Sequence, residues 1–129
     1  MTPYTPEDEI VARGQADWVH FPEMYWLVSK WSSAKALDPR QELIRVLRKL
    51  VSSELVRVGT VTQSEGFVPW GLMEDETVER VLREWDALDR RPTPGDVCWL
   101  ANTPAGDVVA ERLLSNPDPD KTWISDLKA

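Results

Sequence analysis

The stretch from Asp38 to Val61, DPRQELIRVLRKLVSSELVRVGTV, constrains the fold most, because a helical period changes within it to a strand period. Asp38 can accept a hydrogen bond from a first-turn amide. Pro39 suits the first helical position, where no N–H is needed, and Gln41 completes a capping-box-like spacing. At about 100° per residue, Leu43, Ile44, Val46, Leu47, Leu50 and Val51 fall on one face. Gln41, Glu42, Arg45, Arg48, Lys49, Ser52 and Ser53 fall on the other. A helix over 39–53 follows, with one face in the core and one in water. Leu55 to Val61 is rich in β-branched residues, which reads as a strand.

The neighbouring segments must pack against that helix. Thr5-Pro6-Glu7-Asp8 has the cap, proline and acidic first turn of a helix start, with Ile10, Val11, Gly14 and Trp18 as its inner face. His20-Phe21-Pro22 interrupts the pattern. Met24, Leu27, Val28, Trp31 and Ala34 then space a second helix to about Ala36. Beyond the strand, 62–66 is turn-like, and Phe67-Val68-Pro69-Trp70-Gly71 reads as an apolar loop stiffened by proline. From Asp75, residues Val78, Val81, Leu82, Trp85 and Leu88 repeat at helical spacing and stop before Arg91. A short apolar strand over 96–101 pairs best with Leu55 to Val61. Thr103 and Pro104 then cap a helix carrying Val108, Val109, Leu113 and Leu114. The tail keeps Trp123, Ile124 and Leu127, enough apolar surface to dock. The fold class expected is α+β, mostly helical, with a small antiparallel hairpin of strands near 55–61 and 97–101.

Length and composition set the scale. A chain of 129 residues with 42% apolar residues has material for one core, so a single domain over 1–129 is expected. No apolar run reaches the roughly 18 residues a membrane helix needs, and the N-terminal segment is acidic, so a soluble, cytoplasmic protein is expected. The formal charge is −7, which disfavours indiscriminate binding to nucleic acid. Between residues 30 and 57, however, seven basic residues face three acidic ones, and this patch coincides with the capped helix. Cys98 is the only cysteine; it excludes an intrachain disulfide and, in an apolar run, reads as a buried thiol. His20 is the only histidine and sits in a turn, where it reads as structural. No nucleophile–base spacing and no phosphate-cradling glycine loop is present. The chain therefore reads as a non-enzymatic protein without a cofactor.

Two local sequences carry a resemblance. Leu50-Val51-Ser52-Ser53-Glu54-Leu55-Val56-Arg57-Val58 looks like a recognition helix running into a first wing strand. Trp99-Leu100-Ala101-Asn102-Thr103-Pro104-Ala105-Gly106 looks like a second wing strand followed by the L-T-P-x-G helix start of many small bacterial regulators. With the order helix, helix, helix, strand, strand, helix, residues 22–114 resemble a winged helix-turn-helix domain with an insert over 62–96 and a tail over 115–129. The resemblance implies a transcriptional regulator that acts as a dimer and whose helix 39–53 enters the DNA major groove. By position, Gln41, Arg45, Arg48, Lys49 and Ser52 would face DNA, the arginines towards guanine edges or phosphates and Gln41 towards adenine.

The overall charge supports another class, an acidic protein-binding module such as an antitoxin, immunity or adaptor protein that uses the same fold as a scaffold. Phe67 and Trp70, in the apolar part of the insert, would then be its protein-binding residues. Trp31, Trp85 and Trp99 lie on expected core faces, and packing is also the favoured role for Trp70.

Overall fold

A computed structural model describes residues 2–128. Its elements are β1 (Thr2–Pro3), α1 (Pro6–Gly14), β2 (Val19–His20), α2 (Phe21–Lys35), α3 (Pro39–Ser52), β3 (Val56–Thr62), β4 (Gly66–Pro69), α4 (Glu74–Asp86), β5 (Trp99–Asn102), α5 (Pro104–Ser115) and β6 (Lys121–Thr122), followed by a 3-10 turn at Ile124–Asp126. The fold is α+β and mostly helical. None of the described helices is long and apolar enough to cross a membrane.

Local chemistry sets the helix starts. Thr5, Asp38 and Thr103 each accept a hydrogen bond from the amide three residues on, and a proline opens each helix. His20 does the same for α2, its Nδ1 accepting from the Glu23 amide at 3.1 Å. The segment that interrupts the sequence pattern is thus a helix cap, and α2 begins at Phe21 itself.

The sheet is larger than the expected hairpin. Its order is β2-β5-β3-β4, antiparallel throughout. The expected pairing is present, with Val56 opposite Asn102 and Gly59 opposite Trp99. Two further strands flank it. Val19–His20 pairs with Trp99–Leu100, and the segment expected as a loop is β4, with Val68 opposite Thr60. Proline pointed to a loop there, but Pro69 closes an outer strand, where a missing amide is tolerated.

The core is continuous. Ile10 and Val11 of α1, Phe21, Met24, Leu27 and Val28 of α2, and Leu43, Val46, Leu47 and Leu50 of α3 enclose Val56, Val58 and Leu100 of the sheet, with Val78 and Val81 of α4. Phe21 joins the layers: its ring meets Trp85 edge-on at 5.2 Å and its amide donates to the Cys98 carbonyl. Cys98 is buried, and burial pushes its thiol pKa upward, which leaves it protonated and inert.

Several sequence-based faces are corrected. Trp18 lies beyond the end of α1 and is exposed, as are Ala34 on α2 and Val108 and Leu114 on α5. The inner side of α5 is Gly106 and Ala110, with Val109 partly buried. Trp31, Trp85 and Trp99 are half-buried at the core edge instead of enclosed.

The two ends are tied together. β1 and β6 form a parallel pair, Tyr4 stacks on Trp123 at 4.1 Å, and the Tyr4 hydroxyl accepts from the Asp118 amide. The buried Glu9 carboxylate accepts hydrogen bonds from the Ile124 and Ser125 amides, with Arg13 beside it. The docking expected of the tail is present.

The 87–98 connection is held by one carboxylate. Asp96 accepts from both terminal nitrogens of Arg90 and from the amide and hydroxyl of Thr93. Hydrogen bonding from Arg90, then from Thr93, holds its pKa well below the usual carboxylate range. A depressed folded-state pKa contributes stability at pH values above the unfolded value, and that contribution is lost as pH falls through the folded value. In a pH titration followed by NMR, the Thr93 amide is therefore expected to stay unchanged through pH 4 and to shift only in stronger acid. A midpoint near the ordinary aspartate value of about 3.9 would contradict the cluster.

Candidate functional site

The face of α3 that the sequence offers to solvent is indeed outward. Gln41, Arg45, Lys49 and Ser52 are exposed and Arg48 is partly so. The flanking elements decide its electrostatics. α4 runs antiparallel beside α3, placing Asp86 at its end 2.9 Å from Arg40 and Asp75 at its start 2.6 Å from Arg48, with Glu74 at 3.3 Å. From the other side, Glu7 of α1 reaches Arg45 at 3.2 Å, and Glu42 joins it at 3.0 Å.

Arg40, Arg45 and Arg48, the arginines on α3, therefore each have a carboxylate. Partial burial opposes the charge of Arg45, but hydrogen bonds and the field from Glu7 and Glu42 outweigh it and raise its pKa. Hydrogen bonds that Arg48 donates to Asp75, then to Glu74, raise its pKa. Lys49 has no such partner among the described residues. Exposed ion pairs of this kind contribute only ~0–1 kcal/mol each, so they matter less for stability than for potential. The three arginines of α3, Arg40, Arg45 and Arg48, are matched by Glu7, Glu42, Glu74, Asp75 and Asp86, so most of the basic charge on this face of α3 is offset in space. Periodicity shows which side of α3 is wet; it carries no information about what α1 and α4 place beside it.

Phe67 and Trp70 are separated by the hairpin. Phe67 is partly buried, its ring tilted against Trp18 at 6.1 Å. Trp70 donates from Nε1 to the Thr60 hydroxyl at 2.9 Å and lies beneath the Arg80 guanidinium at 3.9 Å. A satisfied N–H and a cation on the ring face make Trp70 a packed residue, in keeping with the role favoured for it.

A surface the sequence does not single out lies close by. A cleft of about 630 Å³ is lined by Val51 at the end of α3, Val56 and Val58 of β3, Leu72 of the β4–α4 connection, and Pro104 and Ala105 of α5. Its charged lining residues are Glu54 and Arg57. Beside Leu72, Met73 is 77% exposed, and Val108, one turn along from Pro104 on α5, is 58% exposed. The apolar pair Leu72-Met73, directly before the acidic first turn of α4, is a sequence signal that could have drawn attention here. A second concavity of about 510 Å³ is walled by the rings of Tyr25, Trp26 and Trp85 with Arg91.

Among the described residues, no group of three histidine, cysteine, aspartate or glutamate side chains is placed to hold a metal ion. No protein family, curated protein or solved structure matches the chain.

Proposed function

We propose that this is a non-enzymatic macromolecule-binding protein on a winged-helix-like scaffold, and that its partner is another protein with a basic surface. The observation that carries this reading is the pairing of Arg40, Arg45 and Arg48 with carboxylates from α1, α3 and α4. Neutralising phosphates is the main source of nonspecific DNA affinity, and this helix offers few uncommitted cations for it. A net charge of −7 attracts a basic protein and steers its approach. The two groups best suited to side-chain chemistry have other uses: His20 caps α2, and Cys98 is enclosed in the core.

DNA binding by α3 is the second reading. It is favoured by the order α1, α2, α3, β3, β5, α5 with β3 and β5 paired antiparallel, and by the exposure of Gln41, Lys49 and Ser52. Insertion of β4 and α4 between the paired strands places the acidic start of α4 against the proposed reading helix.

Retention of genomic DNA fragments at two salt concentrations separates the two readings. The protein is expected to enrich no reproducible motif, and Arg45→Ala with Arg48→Ala to leave the stability of the fold nearly unchanged. A motif enriched by the wild-type protein, and weakened in the folded double variant by about 1–3 kcal/mol per lost base contact, would transfer the assignment to DNA.

A further inference from the structure

We propose that the cleft between α5 and the β4–α4 connection is the docking site for a basic amphipathic helix of the partner protein. This inference rests on the protein-binding reading and gives it a location. Three independent features meet at the cleft: its shape, its exposed apolar residues and its charge.

The floor and walls are apolar, from Val51, Val56, Val58, Leu72 and Pro104. A volume of about 630 Å³ accommodates several side chains, as when a helix lays residues spaced three and four apart into a groove. Met73, next in sequence to the lining residue Leu72, and Val108, one helical turn beyond the lining residue Pro104, add exposed apolar surface on the same two elements. Large apolar side chains exposed together around a concavity mark a binding surface more than scattered ones do, and an unbranched methionine adapts its shape to what it meets.

Glu54 supplies the charge. It follows α3 in a left-handed conformation, with φ of 56°. The Leu55 amide donates to Leu50 and the Glu54 amide to Val51, the paired bonds of a helix stop that glycine usually occupies. A side chain in that conformation costs roughly 1–2 kcal/mol. At this site the side chain is a carboxylate lining the cleft, without an ion-pair partner among the described residues. Outside the lining, Glu76 and Asp107 are both exposed, Glu76 next in sequence to the lining residue Thr77 and Asp107 three residues along α5 from the lining residue Pro104. A cationic flank on the bound helix complements these acids. Arg57, the basic lining residue, sets its direction by repelling the cationic end.

The test uses the full chain and two synthetic helices of about 18 residues, five turns at the usual pitch. One carries leucine and lysine at helical spacing and the other leucine and glutamate. The lysine peptide is expected to shift the amide signals of Val58, Leu72, Met73, Ala105 and Val108, and the glutamate peptide to leave them in place. Met73→Gln and Glu54→Gln, both at exposed positions, are each expected to weaken lysine-peptide binding about ten-fold, as loss of an anchor does, with circular dichroism unchanged. Shifts confined to other surfaces, equal binding of both peptides, affinity indifferent to the two substitutions, or no binding of the lysine peptide would each overturn the cleft assignment. The protein-binding reading falls separately, by the enrichment of a DNA motif.

Discussion

Phe21→Ala is expected to cost about 3–5 kcal/mol in urea denaturation, the range for truncating a fully enclosed aromatic side chain. Phe21 has no solvent exposure, touches Trp85 edge-on and lies 6.4 Å from Tyr25. It opens α2 immediately after β2 and packs where α2, α4 and β5 meet. Removing the ring leaves a cavity that three separate elements would have to close, and their backbones are fixed by hydrogen bonds elsewhere. Against a total stability of about 5–15 kcal/mol for a domain of this size, the variant would be close to unfolding at moderate temperature. A loss under about 1 kcal/mol would mean that the site collapses freely and that Phe21 is not the junction described.

Gly106→Ala is expected to destabilise by about 1–3 kcal/mol, the usual cost of overfilling a packed site. In a solvent-facing helix the same change stabilises by about 1 kcal/mol, so the sign of the effect is the test. A methyl group on Gly106 would meet the Leu55 carbonyl oxygen and come within 3.3 Å of the Asn102 Cβ. Both neighbours are anchored, since the Leu55 carbonyl accepts from the Thr103 amide and the Asn102 side chain donates to the Val11 carbonyl. The Thr103-Pro104-Ala105-Gly106 sequence thereby acquires a physical account. Thr103 caps the helix and also donates to the Glu54 carbonyl at 2.6 Å, Pro104 opens the helix, and Gly106 lets it sit on the α3–β3 turn. A variant as stable as the wild type would remove that explanation of the glycine.

What the sequence reveals and what it hides divides by distance along the chain. Asp38 with Pro39, and Thr103 with Pro104, act within a single helical turn, so α3 and α5 are legible almost to the residue. Short strands are different. Val19–His20 becomes β2 because Trp99–Leu100 lies beside it, and two residues hold no pattern of their own. Phe67 and Val68 form β4 through partners on β3, despite the proline that follows. The same division governs the interaction surfaces. Exposure of Gln41, Arg45, Lys49 and Ser52 follows from one helix period, whereas the neutralising Glu7 and Asp75 come from elements on either side. The cleft is built from α3, β3, the β4–α4 connection and α5, and no single segment shows a hollow.

The clasp between the chain ends has a consequence for motion. Thr2 is hydrogen-bonded alongside Asp120 and Tyr4 alongside Thr122, so the bonds close a loop containing nearly the entire chain. Such a closure becomes favourable only after the intervening core has brought its two sides together. The clasp is thus expected to form late and to open early, with its two sides opening jointly, because Tyr4 and Glu9 are anchors for the very segment that holds them. Release of β1 and release of β6 are therefore expected to be one shared event instead of two separate ones.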